Sequence, residues 1–399
     1  MEIFVSSLLG ICAALLAIPV AVLFIEILAA AVLPHTEFRS NNTSRARVAV
    51  LVPAHNESSG LLPTLADIQK QLHPGDRLLV VADNCTDDTA DVASAAGAEV
   101  IARHDPARSG KGYALDFGVR HLASSDPPEI VIVIDADCRL ADCTIDRLAT
   151  ACASTHRPVQ ALDLMTGPAE SKINHQVAEF AWRVKNWVRP LGLSALGLPC
   201  QLMGTGMAFP WDVIRSTNIG SGQIVEDLEI GLNLALAGMP PLFCPAAVVT
   251  SSFPVSVVGA ERQRRRWELG HIAMILKSVP RLLPKAFANR NWCLLGLVLD
   301  LAVPPLSLLA LLIAGMSALI MSAAFFGFAW AALIISTASL VAFITAVCLA
   351  WAKWGRDVLP LRAVFSIAPY VFMKLGLYRK IVSADANAEW VRTDRSKPE

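Results

Sequence analysis

The feature that most constrains this chain is the gathering of its apolar residues at two ends. Residues 3 to 33 are almost wholly apolar apart from serines, Pro19 and Glu26, and from Trp292 to Trp351 the only charged side chain is Asp300. A helix needs about 20 apolar residues to cross the hydrocarbon core of a bilayer. The first run therefore reads as one span within an N-terminal anchor, residues 1–38. A cleaved signal peptide ending near Ala29-Ala30-Ala31 is the competing reading. It fits less well, because no Lys or Arg precedes the run and the run is long for such a leader. The second run, within residues 291–352, holds two spans at about 20 residues each. Its flanks settle an even count: Lys277, Arg281, Lys285 and Arg290 precede it, and Lys353, Arg356 and Arg362 follow. Basic residues mark the cytoplasmic side, so both flanks lie inside. By the same rule Arg39, Arg45 and Arg47 place the middle of the chain inside and Met1 outside. Residues 353–399 read as an interfacial amphipathic helix over 357–378 and a cytoplasmic tail. A third C-terminal crossing is the alternative, since Arg362, Pro369 and Lys374 interrupt an otherwise apolar segment.

A hydrophobic fraction of 54% with 17% charged residues agrees with such spans. The 34 basic and 34 acidic residues cancel, so no global attraction to nucleic acid is expected. The nine cysteines show no C-x-x-C pair and no zinc-like spacing, and most of them read as reduced, buried apolar residues.

Between residues 45 and 290 the pattern changes to short apolar runs alternating with helical segments. Val48–Val52, Leu78–Val81, Glu99–Ile101 and Ile130–Ile134 read as strands, and residues 57 to 72 as a helix. Continuous apolar strands separated by helices indicate an α/β domain whose mostly parallel sheet is covered on both faces. Ligands of such sheets bind at the carboxyl ends of the strands. Asp83 closes the second run, and Asp135-Ala136-Asp137 follows the fourth.

Each polar cluster supports two readings. Asp135 and Asp137, one residue apart on a turn, suit a hard divalent cation that bridges a diphosphate, or are solvated loop acids. Asp83 is placed for a nucleotide base or ribose, or forms a turn with Asn84. Asp87 and Asp88 open a helix as caps. Glu226-Asp227 precedes the helical pattern Leu228 to Ala237, which Gly238 stops. The pair caps that helix, or supplies a general base. Gln263-Arg264-Arg265-Arg266-Trp267 lies on an amphipathic helix from about Gly259. Its arginines pair with phosphate oxygens or line a membrane surface. Lys111 sits in Arg108-Ser109-Gly110-Lys111-Gly112, which lacks the phosphate-loop spacing and defaults to a surface turn. Among the histidines, His271 alone merits a test.

At these residues the chain resembles a membrane-embedded family 2 glycosyltransferase with a GT-A fold, of the bacterial polysaccharide-synthase type. Val52 to Glu57 is similar to the family's opening strand and nucleotide-binding turn, which places Pro53, Asn56 and Glu57 with Asp83 and Lys111 among donor contacts. Asp135 and Asp137 match the D-x-D motif for diphosphate and metal, Mg2+ or Mn2+. Glu226-Asp227 matches the E-D pair whose Asp is the catalytic base. Gln263, Arg266 and Trp267 match Q-x-x-R-W, and Gly204-Thr205-Gly206 resembles a loop near the acceptor. Asp116 stands where many relatives carry Asn.

The resemblance implies inverting transfer from a nucleotide sugar, a UDP-sugar by analogy, at the cytoplasmic face of a bacterial inner membrane. The acceptor it implies is a lipid-linked or growing saccharide, with an export or synthesis partner. Transfer to polyprenyl phosphate itself, and a non-catalytic membrane subunit, are the alternatives. Three spans are fewer than polymer-secreting relatives generally have.

Overall fold

The computed structural model describes residues 2–34, 38, 45–167, 173–220, 225–254 and 257–361. Most of the segment read as an interfacial helix, and the tail with Trp390, lie outside the described residues.

In chain order the helices are α1 (Glu2–Val32), α2 (Leu62–Gln69), α3 (Thr89–Ala95), α4 (Lys111–Ser124) and α5 (Thr144–Thr155). There follow α6 (Ile173–Arg183), α7 (Arg189–Ala195), α8 (Trp211–Ser216), α9 (Glu226–Leu236) and α10 (Val257–Ala288). The last three are α11 (Trp292–Leu301), α12 (Leu306–Phe325) and α13 (Trp330–Trp354). The strands are β1 (Val48–Ala54), β2 (Arg77–Asp83), β3 (Glu99–Arg103), β4 (Ile130–Val133), β5 (Arg139–Leu140), β6 (Val159–Thr166), β7 (Met207–Pro210) and β8 (Leu242–Ser252).

Two compact units emerge. Thr36–Ala169 and Leu198–Gly270 fall in a sheet unit, while Met1–His35, Glu170–Gly197 and His271–Asp385 fall in a helical unit.

The sheet unit is built on eight strands in the order β3-β2-β1-β4-β7-β6-β8-β5. β3, β2, β1 and β4 run parallel, whereas β7 is antiparallel to both β4 and β6. Strand periodicity explains the uninterrupted apolar runs. Val48, Val50 and Val52 pack with Leu61, Leu65 and Ile68 around α2 and with Ile145 and Leu148 of α5 on one face. Ala49 and Leu51 pack with Leu115, Val119 and Leu122 of α4 and with Ile230 and Leu234 of α9 on the other. Both faces are covered, so every second residue cannot be polar. α4 approaches so closely that a Cβ on Gly118 would stand 2.5 Å from Leu51 Cδ1. Truncating Leu51 to Ala would cost about 2–5 kcal/mol, the range for a fully buried aliphatic side chain.

Local boundaries differ from the sequence expectation in two places. The helix expected from Glu57 opens as a 3-10 turn over Ser58–Leu61, and α2 proper begins at Leu62, followed by Pro63, which favours the first turn of a helix. Glu226 and Asp227 lie inside the first turn of α9 rather than before it.

In the helical unit, α1, α12 and α13 are long and apolar enough to cross a membrane. Large apolar side chains such as Phe4, Leu15, Phe325 and Ile334 point outward and are exposed, the reverse of a water-facing helix. α11 is a separate helix of 10 residues ended ahead of Pro304-Pro305. The two long helices of this region are therefore α12 and α13.

Candidate active site

The carboxyl ends of β1, β2 and β4 gather the acids singled out from the sequence. Beyond β4 the backbone N–H of Asp135 donates to Thr205 Oγ1 at 3.1 Å. The Thr64 hydroxyl lies 2.8 Å from the Ala136 carbonyl and 2.7 Å from that of Cys138. The Asp135-Ala136-Asp137 turn is thereby held from both sides.

Gly204-Thr205-Gly206 needs its glycines. Gly204 has φ +96° and Gly206 φ +66°, and a Cβ on Gly206 would stand 2.7 Å from the Ala161 Cβ. Gln160, fully buried in β6, fixes the loop. Its Nε2 donates to the Thr205 carbonyl at 2.8 Å, and its Oε1 accepts from Met203 N–H at 2.8 Å.

Lys111 is no surface turn. It opens α4, its side chain is mostly buried, and its ammonium donates to the Gly204 carbonyl at 2.8 Å while pairing with Asp135. Burial opposes that charge, but Asp135 and then Glu226 outweigh it and hold the ammonium above the usual lysine range. A Cβ on Gly204 would lie 3.5 Å from Asp227 Oδ2 and 3.6 Å from Lys111 Nζ, so both groups face the space that the missing side chain leaves open. Glu226 is buried. Burial, and then the neighbouring Asp227, push its carboxyl up to about 8, with Lys111 opposing. Burial lowers the Arg266 pKa, while Glu226 and then Asp135 oppose that shift. Gln263 is buried and Trp267 half-buried on α10.

Asp83 has no exposed surface. Arg103 Nη1 donates to its Oδ1 at 2.5 Å, and the Arg103 guanidinium lies 5.5 Å from the Tyr113 ring centre. The base-contact expectation therefore meets a side chain already paired and enclosed, with Arg103 beside it. The turn after β1 is locked to the turn after β2. His55 Nδ1 donates to the Asp83 carbonyl at 2.7 Å, and Asn56 Oδ1 accepts from Thr86 N–H at 2.7 Å. Asn56 and Asn84 both adopt the left-handed conformation that asparagine tolerates. Pro53 is buried within β1, and Glu57 N–H donates to Thr89 Oγ1 at 2.9 Å. Asp87, not Asp88, caps α3, because its Oδ1 accepts from Thr89 N–H at 3.1 Å.

Asp135, Asp137 and Cys138 present ligand atoms within 4.8 Å of one another. Burial, and then Asp137 and Asp135, raise the Cys138 thiol well above its ordinary range, so it stays protonated. The usable donors are carboxylate oxygens, which suit Mg2+ or Mn2+ better than zinc. Among the described residues, Asp135, Asp137 and Asp227 outnumber Lys111 and Arg266 here even with Glu226 protonated below about pH 8, and the surplus of negative charge fits a divalent cation.

Sequence reasoning missed Gln160, Arg103, Thr64 and Cys138. The one available signal was Gln160, a lone amide in the otherwise strand-like run from Val159. Of the histidines, His271 is not in this unit; it lies on α10 with Nε2 donating to the Leu301 carbonyl at 3.1 Å.

Comparison with known proteins agrees with this geometry. A family model described as "Glycosyltransferase like family 2" matches residues 46–270. The probable glycosyltransferase YdaM of Bacillus subtilis (strain 168) is 27% identical over 259 residues, covering 60% of this chain and 59% of that relative. An uncharacterised glycosyltransferase of Mycobacterium tuberculosis (strain ATCC 25618 / H37Rv) is 46% identical over 90 residues, covering 23% of this chain and 36% of its own length. The chain thus spans less than two thirds of these relatives. Among solved structures, the mannosyltransferase PcManGT from Pyrobaculum calidifontis, in complex with GDP-Man and Mn2+, aligns with a TM-score of 0.53 at 19% identity, over 86% of this chain and 99% of that one. At that identity the likeness is one of fold, a GT-A-like α/β architecture. With the family model covering more than half of its length, the chain belongs to the glycosyltransferase like family 2.

Proposed function

We propose that this chain is an inverting, metal-dependent glycosyltransferase that moves a sugar from a nucleotide sugar to a lipid-linked or growing saccharide. The observation that carries the reading is the convergence on Gly204. Lys111, bound to Asp135, and Asp227 both come within 3.6 Å of the point where a Cβ on this glycine would stand. A donor diphosphate at Asp135 and an acceptor hydroxyl at Asp227 would thus meet beside one small residue.

Asp227 takes the proton of the acceptor hydroxyl as its oxygen attacks the anomeric carbon, which inverts an α-linked donor to a β-linked product. Lys111 and Arg266 stabilise the charge that grows on the departing nucleoside diphosphate. Asp135 and Asp137 would hold Mg2+ or Mn2+, which when bound adds Lewis-acid stabilisation of the same oxygens. Glu226, protonated below about pH 8, places no second full negative charge against Asp227. Asp83 with Arg103, Pro53, Asn56 and Glu57 form the nucleoside side, and Gln263 and Trp267 the acceptor side with Gly204, Thr205 and Gly206. α1, α12 and α13 support a multi-pass protein of a bacterial inner membrane, with the catalytic unit cytoplasmic and an acceptor drawn from membrane lipid.

The test supplies purified full-length protein, in detergent with Mg2+ or Mn2+, with a panel of nucleotide sugars. Polyprenyl phosphate and polyprenyl-diphosphate sugar serve as separate acceptors. Release of nucleoside diphosphate with the second acceptor is expected. Release with polyprenyl phosphate alone would favour direct transfer to that lipid, and release from no donor would sink the reading.

A further inference from the structure

In the helical unit, α1 and α13 run side by side in the same direction, and their two ends differ in chemistry. At one end Ala329 N–H donates to Ser6 Oγ at 3.2 Å, which brings the α12–α13 turn against the start of α1. Phe325, Phe326 and Trp330 are exposed there, and the sequence from Leu301 to Ala352 holds no charged residue. At the other end Lys353 Nζ donates to the Ala31 carbonyl at 2.5 Å, an acceptor in the last turn of α1 that the helix itself leaves open. Arg356 lies over the Trp351 ring at 5.5 Å, and Lys353 over that of Trp354 at 5.9 Å.

α12 starts at this second end, and α10 is tied to it there. His271 Nε2 donates to the Leu301 carbonyl at 3.1 Å, just ahead of α12 at Leu306. Met274, Ser278, Leu282 and Ala286 of α10 are buried. The opposite stripe is exposed, and it is divided in two. Leu276 is 72% exposed and Phe287 59%; about three helical turns apart, they share one edge. Lys277, Arg281 and Lys285, all exposed, follow one another at four-residue steps along the other edge. Arg290 is exposed beyond them, and Trp292, at the start of α11, is 65% exposed. From Leu269 to Leu299 the sequence carries these four cations and no acid.

We propose that α10 from Leu276 to Arg290, with Trp292, lies in the membrane interface and binds the phosphates of anionic phospholipids. The apolar edge of such a helix enters the acyl boundary by about 5–10 Å, while long cationic stems reach the headgroups. Leu276, Phe287 and Trp292 supply that edge, and it continues the apolar surface of α12. A zwitterionic surface would engage the apolar edge alone. A row of cations at one-turn spacing is complementary to a layer of net negative charge. This surface is separate from the residues of the transfer chemistry.

Electron spin resonance of the full chain in phosphatidylcholine bilayers tests this, with spin-labelled phosphatidylglycerol and phosphatidylcholine as probes. The wild-type protein is expected to retain the phosphatidylglycerol label about two- to fivefold more than the other, and to lose most of that preference in about 1 M salt. Lys277→Gln, Arg281→Gln and Lys285→Gln together should cut the preference, whereas Lys277→Arg with Lys285→Arg should keep it. A second measurement needs no charge variant: phosphatidylcholine brominated near the headgroup should quench the emission that Trp292→Phe removes. A wild-type preference near one, a preference unchanged in the triple variant, or Trp292 emission untouched by the brominated lipid overturns the proposal.

Discussion

The two units each bury a cluster of opposite charges, and the clusters are resolved in opposite ways. In the sheet unit, acids around Lys111 and Arg266 outnumber the cations among the described residues, and a divalent cation would offset the surplus. In the helical unit, Arg189 pairs with Glu26 at 2.8 Å and with Asp300 at 2.6 Å, so its charge is answered within the fold. A site left electrically incomplete has a use for a ligand; one completed internally serves packing. Burial alone therefore does not mark function, whereas burial with unbalanced charge does.

The sharpest break of this contrast is Asp227→Asn. Removing a general base is expected to lower transfer about 10²- to 10⁴-fold while nucleotide binding persists, read by product formation and calorimetry. An unchanged rate would move the base elsewhere. Lys111→Met should cost about ten- to a hundredfold in kcat/KM, the scale of charge-assisted hydrogen bonds worth about 1.5–3 kcal/mol. A loss confined to KM would make the lysine a binding group only. In the helical unit, Gly192→Ala drives a methyl into the Glu26 carbonyl and should destabilise by about 1–3 kcal/mol, measured by thermal melting in detergent. Wild-type melting would mean that α1 and α7 separate freely.

The smallest effects are pH-dependent, and their signs are opposite. His271 is depressed from 6.5 to about 3. The unfolded chain then binds a proton that the folded one refuses, so this stabilisation is present above pH 6.5 and is lost as pH falls toward 3. His271→Gln should flatten that acid limb. Glu226 is raised from 4.5 to about 8, so the folded chain holds the proton more tightly. Its contribution is full below pH 4.5 and is lost as pH rises through about 8. Glu226→Gln in metal-free protein should remove that alkaline loss. Melting curves across pH for both variants check the two signs together.

The strands were legible because burial on both faces demands uninterrupted β-branched runs, and Val48–Val52 and Ile130–Ile134 show them. The helices long and apolar enough to cross a bilayer were legible because length and hydropathy are properties of the sequence itself. Motif acids at strand ends could be assembled in order, since a parallel sheet gathers its carboxyl ends regardless of the distance between them in sequence.

Partnerships across the chain were not legible. Nothing near Lys111 announces Gly204, which lies 93 residues on, and nothing near Asp83 announces that Arg103 will enclose it. The segment from Ile173 to Ala195 reads as ordinary domain sequence, yet it belongs to the helical unit, because Arg189 finds its counterions on α1 and α11. Periodicity and hydropathy are local properties, and they fixed the elements and their apolar faces. Which charge neutralises which is settled only when the folded chain excludes water, for only then does an unpaired charge carry a large cost.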